Sequence, residues 1–210
     1  MGLSGLYSTI PSPLDESALQ RELSSQPSTS APAPPDYARI LAEQKAEALA
    51  QAFVSNHDTT AAPDLNVNVN DNLKGGPSLI LGSDTIVDLN GKILEKPKDE
   101  AEAVQMLQSL SGEWHYVHTG VALYCITEQT NAVKLVSSFT ESTKVQFTTL
   151  TTTDILSYVQ TKEPMDKAGS YGIQGIGGQF VKDMKGDFFT VMGLPMFRVG
   201  ECLALALQDL

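Results

Sequence analysis

Cysteine and histidine are scarce in this sequence, with 2 and 3 residues among 210, and that scarcity removes several chemistries at once. Cys125 and Cys202 fall in a predicted strand and a predicted helix with no metal-ligand spacing around either, so the expectation is two reduced core thiols rather than a disulfide framework or a zinc site. His57, His115 and His118 are scattered and no Gly-x-Ser-x-Gly elbow occurs, which leaves a serine-hydrolase reading without support. The spacing of His115 and His118 does not put them on one strand face, so they are expected to be packing or surface residues. Basic residues are also few: 14 Lys and Arg against 25 Asp and Glu give a net charge of -11, which argues against binding a nucleic-acid polymer. No apolar run approaches the ~20 residues that a membrane-spanning helix needs. The opening Met1-Gly2-Leu3-Ser4-Gly5-Leu6 lacks the basic and apolar regions of a signal peptide, and Leu6 stands where a myristoylation signal wants Ser or Thr. A cytoplasmic location is expected by elimination.

The 41% hydrophobic and 19% charged fractions are those of a globular chain, with one domain over 1–210 as the default. Tyr7-Ser8-Thr9-Ile10-Pro11 is a short β-prone piece stopped by proline, and Glu16 to Pro35 is irregular or partly helical by composition. Asp36 is a plausible N-cap for a helix from Tyr37 to Phe53, in which Tyr37, Ile40, Leu41, Ala48, Leu49 and Ala52 recur at helical spacing. Residues 55–77, rich in Asn, Asp, Thr, Pro and Gly, suggest a flexible insertion. Two strands are predicted next, Leu79-Ile80-Leu81 ending at Gly82-Ser83-Asp84, and Thr85 to Leu89 turning at Asn90-Gly91. Asp99 caps a predicted helix from Glu100 to Leu110 with Gly112 as its stop. Trp114 to Thr127 and Val133 to Phe147 form a predicted antiparallel pair. A helix over Ile155 to Gln160, opened by Thr153 or Asp154, then a Gly-rich loop, a strand Gln179 to Met184 and a helix from Pro195 to Leu207 complete an α/β or α+β arrangement around a mixed sheet.

Individually, the candidate polar residues have ordinary readings beside functional ones. Asp84 ends a predicted strand, where open sheets expose functional groups, yet turns favour Asp as well. Lys96, before Pro97, is extended and otherwise a surface lysine. Lys45 lies at the edge of a helix's apolar stripe, where a solvated lysine is ordinary. Glu16 is either a metal-binding carboxylate or a loop acid. The loop from Glu163 to Gly178 concentrates Asp166, Lys167, Gln174 and glycines with few large apolar residues, as a site or a mobile surface loop does. Its Gly172-Ile173-Gln174-Gly175-Ile176-Gly177-Gly178 run is no dinucleotide fingerprint, because no strand leads into it and no helix follows.

Taken in order, Gly82-Ser83-Asp84-Thr85-Ile86-Val87, Leu94-Glu95-Lys96-Pro97, Leu110-Ser111-Gly112, His118-Thr119-Gly120-Val121-Ala122, Glu141-Ser142-Thr143-Lys144-Val145, Glu163 to Gly169, Tyr171 to Gly175 and Gly193-Leu194-Pro195 resemble the Maf family of nucleotide pyrophosphatases. Upstream, Ser12-Pro13-Leu14-Asp15-Glu16 and Leu41-Ala42-Glu43-Gln44-Lys45-Ala46 are similar to that family's acidic segment and its lysine-bearing helix. The resemblance implies a Maf/inosine-triphosphatase-like fold: a mixed twisted sheet with flanking helices and a central nucleotide cleft.

It also implies a hydrolase that cleaves nucleoside triphosphates between the α and β phosphates with a divalent cation, Mg²⁺ or Mn²⁺. The catalytic residues so implied are Asp84, Glu16 and Lys96, with Asp84 and Glu16 as metal-linked carboxylates and Lys45, Thr85 and Gln174 as substrate-binding residues. Thr85 and Gln174 match the branch that resembles dTTP and UTP pyrophosphatases, and modified pyrimidine nucleotides fall in the same class. A Gln amide can pair with the donor and acceptor edge of a pyrimidine. A homodimer is a further expectation. The family's opening strand and its serine-x-serine-proline-arginine-arginine loop have no counterpart in this sequence, so weakened turnover is expected. The alternative is a non-catalytic Maf-like protein that binds nucleotides or a partner.

Overall fold

The computed structural model describes residues 9–25, 31–57, 78–127 and 132–208. The expectations for Tyr7 and Ser8 and for the insertion beyond residue 57 lie outside these residues, while Ser55, Asn56 and His57 extend a helix. The elements in order are α1 (Glu16–Ser25), α2 (Pro34–His57), β1 (Ser78–Leu89), β2 (Lys92–Leu94), α3 (Glu100–Leu110), β3 (Trp114–Thr127), β4 (Ala132–Phe147), α4 (Thr152–Gln160), β5 (Val181–Lys185), α5 (Phe188–Met192) and α6 (Met196–Ala206). The α+β class holds. The strands form one sheet in the order β2-β1-β3-β4-β5, and every pairing among the described strands is antiparallel where a mixed sheet was expected.

β3 lies at the centre of this sheet and is covered on both faces, which is why Val117 to Ile126 are all buried and show no alternation. α2 covers one face with a stripe of small residues, Ala38, Ala42, Ala46 and Ala50, each at most 2% exposed. The approach is close enough that a Cβ on Gly82 would sit 2.7 Å from the Ala42 carbonyl oxygen, and one on Gly120 would overlap the backbone of Ala38 and Arg39. Leu23 of α1 packs with Tyr37, Leu41 and Ile86 on the same side. The other face holds the larger core, where Val87, Val117, Val145 and Phe147 meet Leu107 and Leu110 of α3, and Ile155 and Tyr158 of α4. At the opposite end of that face, Val121 and Phe139 pack against Val199 of α6.

α3 forms as predicted: the Asp99 side chain accepts from Glu102 N, Ala103, Met106, Leu107 and Leu110 are buried, and Gly112 follows at φ 76°. α4 starts earlier than predicted, at Thr152, because Thr151 and Asp154 form a reciprocal capping box. α2 starts at Pro34, ahead of the predicted cap Asp36. Two prolines fit a first helical turn, where no N–H is needed and φ is already helical. Thr9 and Ile10 form no strand. The predicted pair of strands on either side of Gly82-Ser83-Asp84 is one continuous strand, β1, with its turn at Asn90-Gly91 as expected. Both cysteines are free, as expected.

Candidate active site

β1 pairs with β3 from Ser78 to Asp88 but with β2 only at Val87–Leu89. Its other edge, ahead of Val87, thus has no strand neighbour among the described residues, and a cavity of about 630 Å³ runs along it. Asp84 lies in this stretch, in register with Gly120. It is therefore mid-strand, not at a strand end as the sequence suggested. Because Gly82 and Gly120 let α2 lie close to the sheet, Lys45 of α2 reaches over the strand and hydrogen-bonds Asp84 Oδ1. The same Nζ is 2.9 Å from Glu16 Oε2, and Ser12 Oγ donates to the Lys45 carbonyl at 2.9 Å, tying the segment before α1 to α2. Lys45 is thus no solvated surface lysine: its side chain is 18% exposed, against 11% for Asp84 and 30% for Glu16.

Burial pushes the Asp84 carboxyl up to about 6 from 3.8; Lys45 and, more weakly, Lys96 oppose the rise, and the Glu16 charge reinforces it. For Lys45 burial is again the largest influence and favours the neutral amine. The charges of Asp84 and Glu16 outweigh it, so the ammonium is held above its usual range. An acid whose folded pKa lies above its unfolded value contributes stability that is full below about 3.8 and lost as pH rises through about 6. That gap corresponds to about 3 kcal/mol. In urea unfolding with a chelator present, the stability of Asp84→Asn relative to the native protein should therefore improve across this window by about 3 kcal/mol. A difference that stays flat with pH would remove burial as the governing influence on Asp84.

Lys96 also lines the cavity. The Glu95 side chain takes a hydrogen bond from the Tyr37 hydroxyl, and the Glu95 carbonyl accepts the Gly169 N–H at 3.1 Å, so Lys96 is fixed between α2 and the loop after α4. Its charge acts on both Asp84 and Asp166, favouring their ionised forms. On the other face of β1, Ser83 Oγ donates to the Gly193 carbonyl at 2.6 Å and Thr85 Oγ1 is 2.9 Å from Thr119 Oγ1. Thr119 spends its one hydroxyl proton on the Thr190 carbonyl at 2.7 Å, so Thr85 must be the donor in that pair and keeps its lone pairs for the cavity.

Gln174 stands exposed on the loop that closes the far wall. That loop is a chain of 3₁₀ turns, Glu163–Asp166, Ala168–Ser170 and Ile176–Phe180, folded around the Glu163 carboxylate. Oε1 of Glu163 accepts the Tyr158 hydroxyl at 2.9 Å and the Gly177 N–H at 3.1 Å, and Oε2 accepts the Ile176 N–H at 3.0 Å. A Cβ at Gly175 would fall inside this carboxylate, so the close wrap requires glycine there. The anchoring role of Glu163 and Tyr158 was missed from sequence, since apart from each other their partners are backbone amides.

Five of the six candidate residues, Asp84, Lys96, Lys45, Thr85 and Gln174, line this one cavity, and Glu16 reaches it through Lys45. Neither histidine of β3 lines the cavity. His115 is buried beside Phe147 and Tyr171, and burial pushes it down to about 4, while His118 packs on the opposite face against Ser142 at 2.7 Å.

The family model for Maf-like protein matches residues 2–206. The chain belongs to the Maf-like family. Among Maf-like relatives, it is 48% identical over 122 residues to the dTTP/UTP pyrophosphatase of Clostridium novyi (strain NT), covering 58% of this chain and 61% of that protein. To the dTTP/UTP pyrophosphatase of Bacillus cytotoxicus it is 52% identical over 122 residues, 58% of this chain and 60% of the relative. The match to the protein of the same description in Bacillus cereus (strain AH187) is longer: 42% identity over 166 residues, 79% of this chain and 72% of the relative. The chain thus spans about three fifths of the length of the first two Maf-like relatives. No helix among the described residues is long and apolar enough to cross a membrane.

Proposed function

We propose that this chain is a nucleoside triphosphate pyrophosphatase that hydrolyses dTTP and UTP, and modified pyrimidine nucleotides of the same shape, to the monophosphate and pyrophosphate. The observation that carries the reading is the Lys45-clamped, buried Asp84 carboxylate on the wall of a cavity that also presents Lys96 and Gln174. The relatives described as dTTP/UTP pyrophosphatases support it.

In this reading Asp84 orients the attacking water and takes its proton. Burial helps in that task, because it brings the carboxylate's pKa nearer to neutrality than an exposed Asp would have. Lys45 and Lys96 offset charge on the phosphate oxygens, and the Gln174 amide reads the edge of the pyrimidine. Among the described residues no group of three or more His, Cys, Asp or Glu is placed to hold a metal alone. The oxygen donors of Asp84 and Glu16 instead suit a cation that keeps several waters and shares its shell with substrate phosphates, the usual regime of Mg²⁺. Such a cation, Mg²⁺ or Mn²⁺, would supply Lewis-acid polarisation of the phosphoryl group.

A cytoplasmic location belongs to the same proposal. So does a homodimer, supported by the outer face of α6, where Phe197 is 79% exposed beside Met196.

The expected result is release of pyrophosphate from dTTP and UTP with Mg²⁺ or Mn²⁺, and loss of that release on addition of a chelator. Nucleotide binding without turnover would instead establish the non-catalytic alternative.

A further inference from the structure

We propose that Glu163 and Tyr158 form a positioning pair that fixes Gln174 and thereby sets which nucleobase the cavity accepts; the proposal rests on the reading of Gln174 given above. Gln174 lies between two pinned points of one short loop. On its N-terminal side, the Gly172 N–H donates to the Tyr158 hydroxyl oxygen at 3.2 Å. On its C-terminal side, the Ile176 and Gly177 N–H groups donate to the two oxygens of Glu163 at 3.0 and 3.1 Å. The two points are joined, because the Tyr158 O–H itself donates to Glu163 Oε1 at 2.9 Å.

The anchor behind the loop is rigid. Tyr158 is 2% exposed and packs edge-on against Phe180 with ring centroids 4.9 Å apart. Burial, opposed by the Gly172 N–H and reinforced by the hydrogen bond to Glu163 and its charge, holds the phenol well above its usual range, so it remains a donor throughout the physiological pH range. The same donors, after the opposing effect of burial, hold Glu163 below the usual carboxylate range, so it remains an acceptor. Gln174, by contrast, makes no side-chain hydrogen bond among the described residues. Its amide is thus uncommitted while its backbone is fixed, the arrangement needed to discriminate between hydrogen-bonding edges.

Glu163→Gln places an amide N–H₂ against at least one of the three donors, and Tyr158→Phe removes only the hydroxyl that joins the two pinned points. The test is steady-state kinetics on dTTP, UTP and ATP together with amide hydrogen exchange at Ile176 and Gly177. Glu163→Gln should raise KM for dTTP about tenfold with kcat within about threefold, and lower the preference for dTTP over ATP by a similar factor. Tyr158→Phe should move both in the same direction by about threefold. Loop exchange should rise about tenfold in Glu163→Gln. Faster exchange with KM and base preference unchanged would overturn the proposal, leaving only a structural role. If Glu163→Gln fails to fold, Tyr158→Phe decides alone, and an unchanged base preference there overturns it.

If the native protein turns over no triphosphate, the pyrophosphatase reading fails separately, and dissociation constants for dTTP and ATP take the place of KM. Loss of their difference in both variants then supports the positioning pair. No difference in the native protein, or no binding of either nucleotide, overturns it.

Discussion

Asp84→Asn should lower kcat for dTTP by about 10³-fold, the middle of the range for removal of a positioned general base. The substitution keeps the shape of the side chain and takes away its charge and proton affinity. An amide oxygen can still accept from Lys45, so α2 keeps its place over β1, and the burial penalty carried by the carboxylate disappears. Folding stability near neutral pH should therefore be maintained or improved, so lost turnover cannot be charged to unfolding. Lys45 would retain Glu16 at 2.9 Å as its remaining acidic partner. The check is pyrophosphate release by the variant alongside far-UV circular dichroism and a chelated melting curve. Turnover within about threefold of the native protein would remove Asp84 from the chemical step and leave it as an anchor for Lys45.

How much of this was legible in the sequence depended on where the deciding interactions lie along the chain. α3 was readable to the residue, because its cap, its buried face and its stop at Gly112 are all local. β1 was not. Gly82-Ser83-Asp84 resembles a turn, and nothing nearby reveals that Gly82 is there to admit Ala42 and Ala46 of a helix far back in the sequence. α5 was missed for a related reason: Asp187 caps it and Gly193 ends it, but Phe188, Phe189 and Met192 point outward, so no apolar periodicity marks a buried face.

The candidate site divides in the same way. The resemblance to Maf proteins brought Asp84, Lys45, Lys96 and Gln174 together, and the fold places all four on one cavity. The approach of Lys45 to Asp84 and Glu16 depends on helix-to-sheet packing that no spacing rule encodes. Glu163 gave no signal of its own because two of its three partners are backbone amides.

Gly120→Ala should destabilise the protein by about 3 kcal/mol, near the upper end for overpacking, although it adds one carbon to a central strand. The new Cβ would overlap the carbonyl of Ala38 and the amide of Arg39, which are backbone atoms that no rotamer change can move aside. Relief requires α2 to shift as a body, and Ala38, Ala42 and Ala46 hold it against β1 and β3 with no space beneath them. Since Lys45 rides on that helix, any fraction that still folds should also show weakened clamping of Asp84 and a lower kcat. Gly200→Ala supplies the control: its Cβ would meet nothing within 4 Å on the exposed side of α6, and replacing a helical glycine there should stabilise by about 0.8 kcal/mol. Urea midpoints of the two variants should consequently move in opposite directions. If Gly120→Ala leaves the midpoint unchanged, the contact between α2 and the sheet is looser than described, and Lys45 would not be held over Asp84 by packing of the helix backbone.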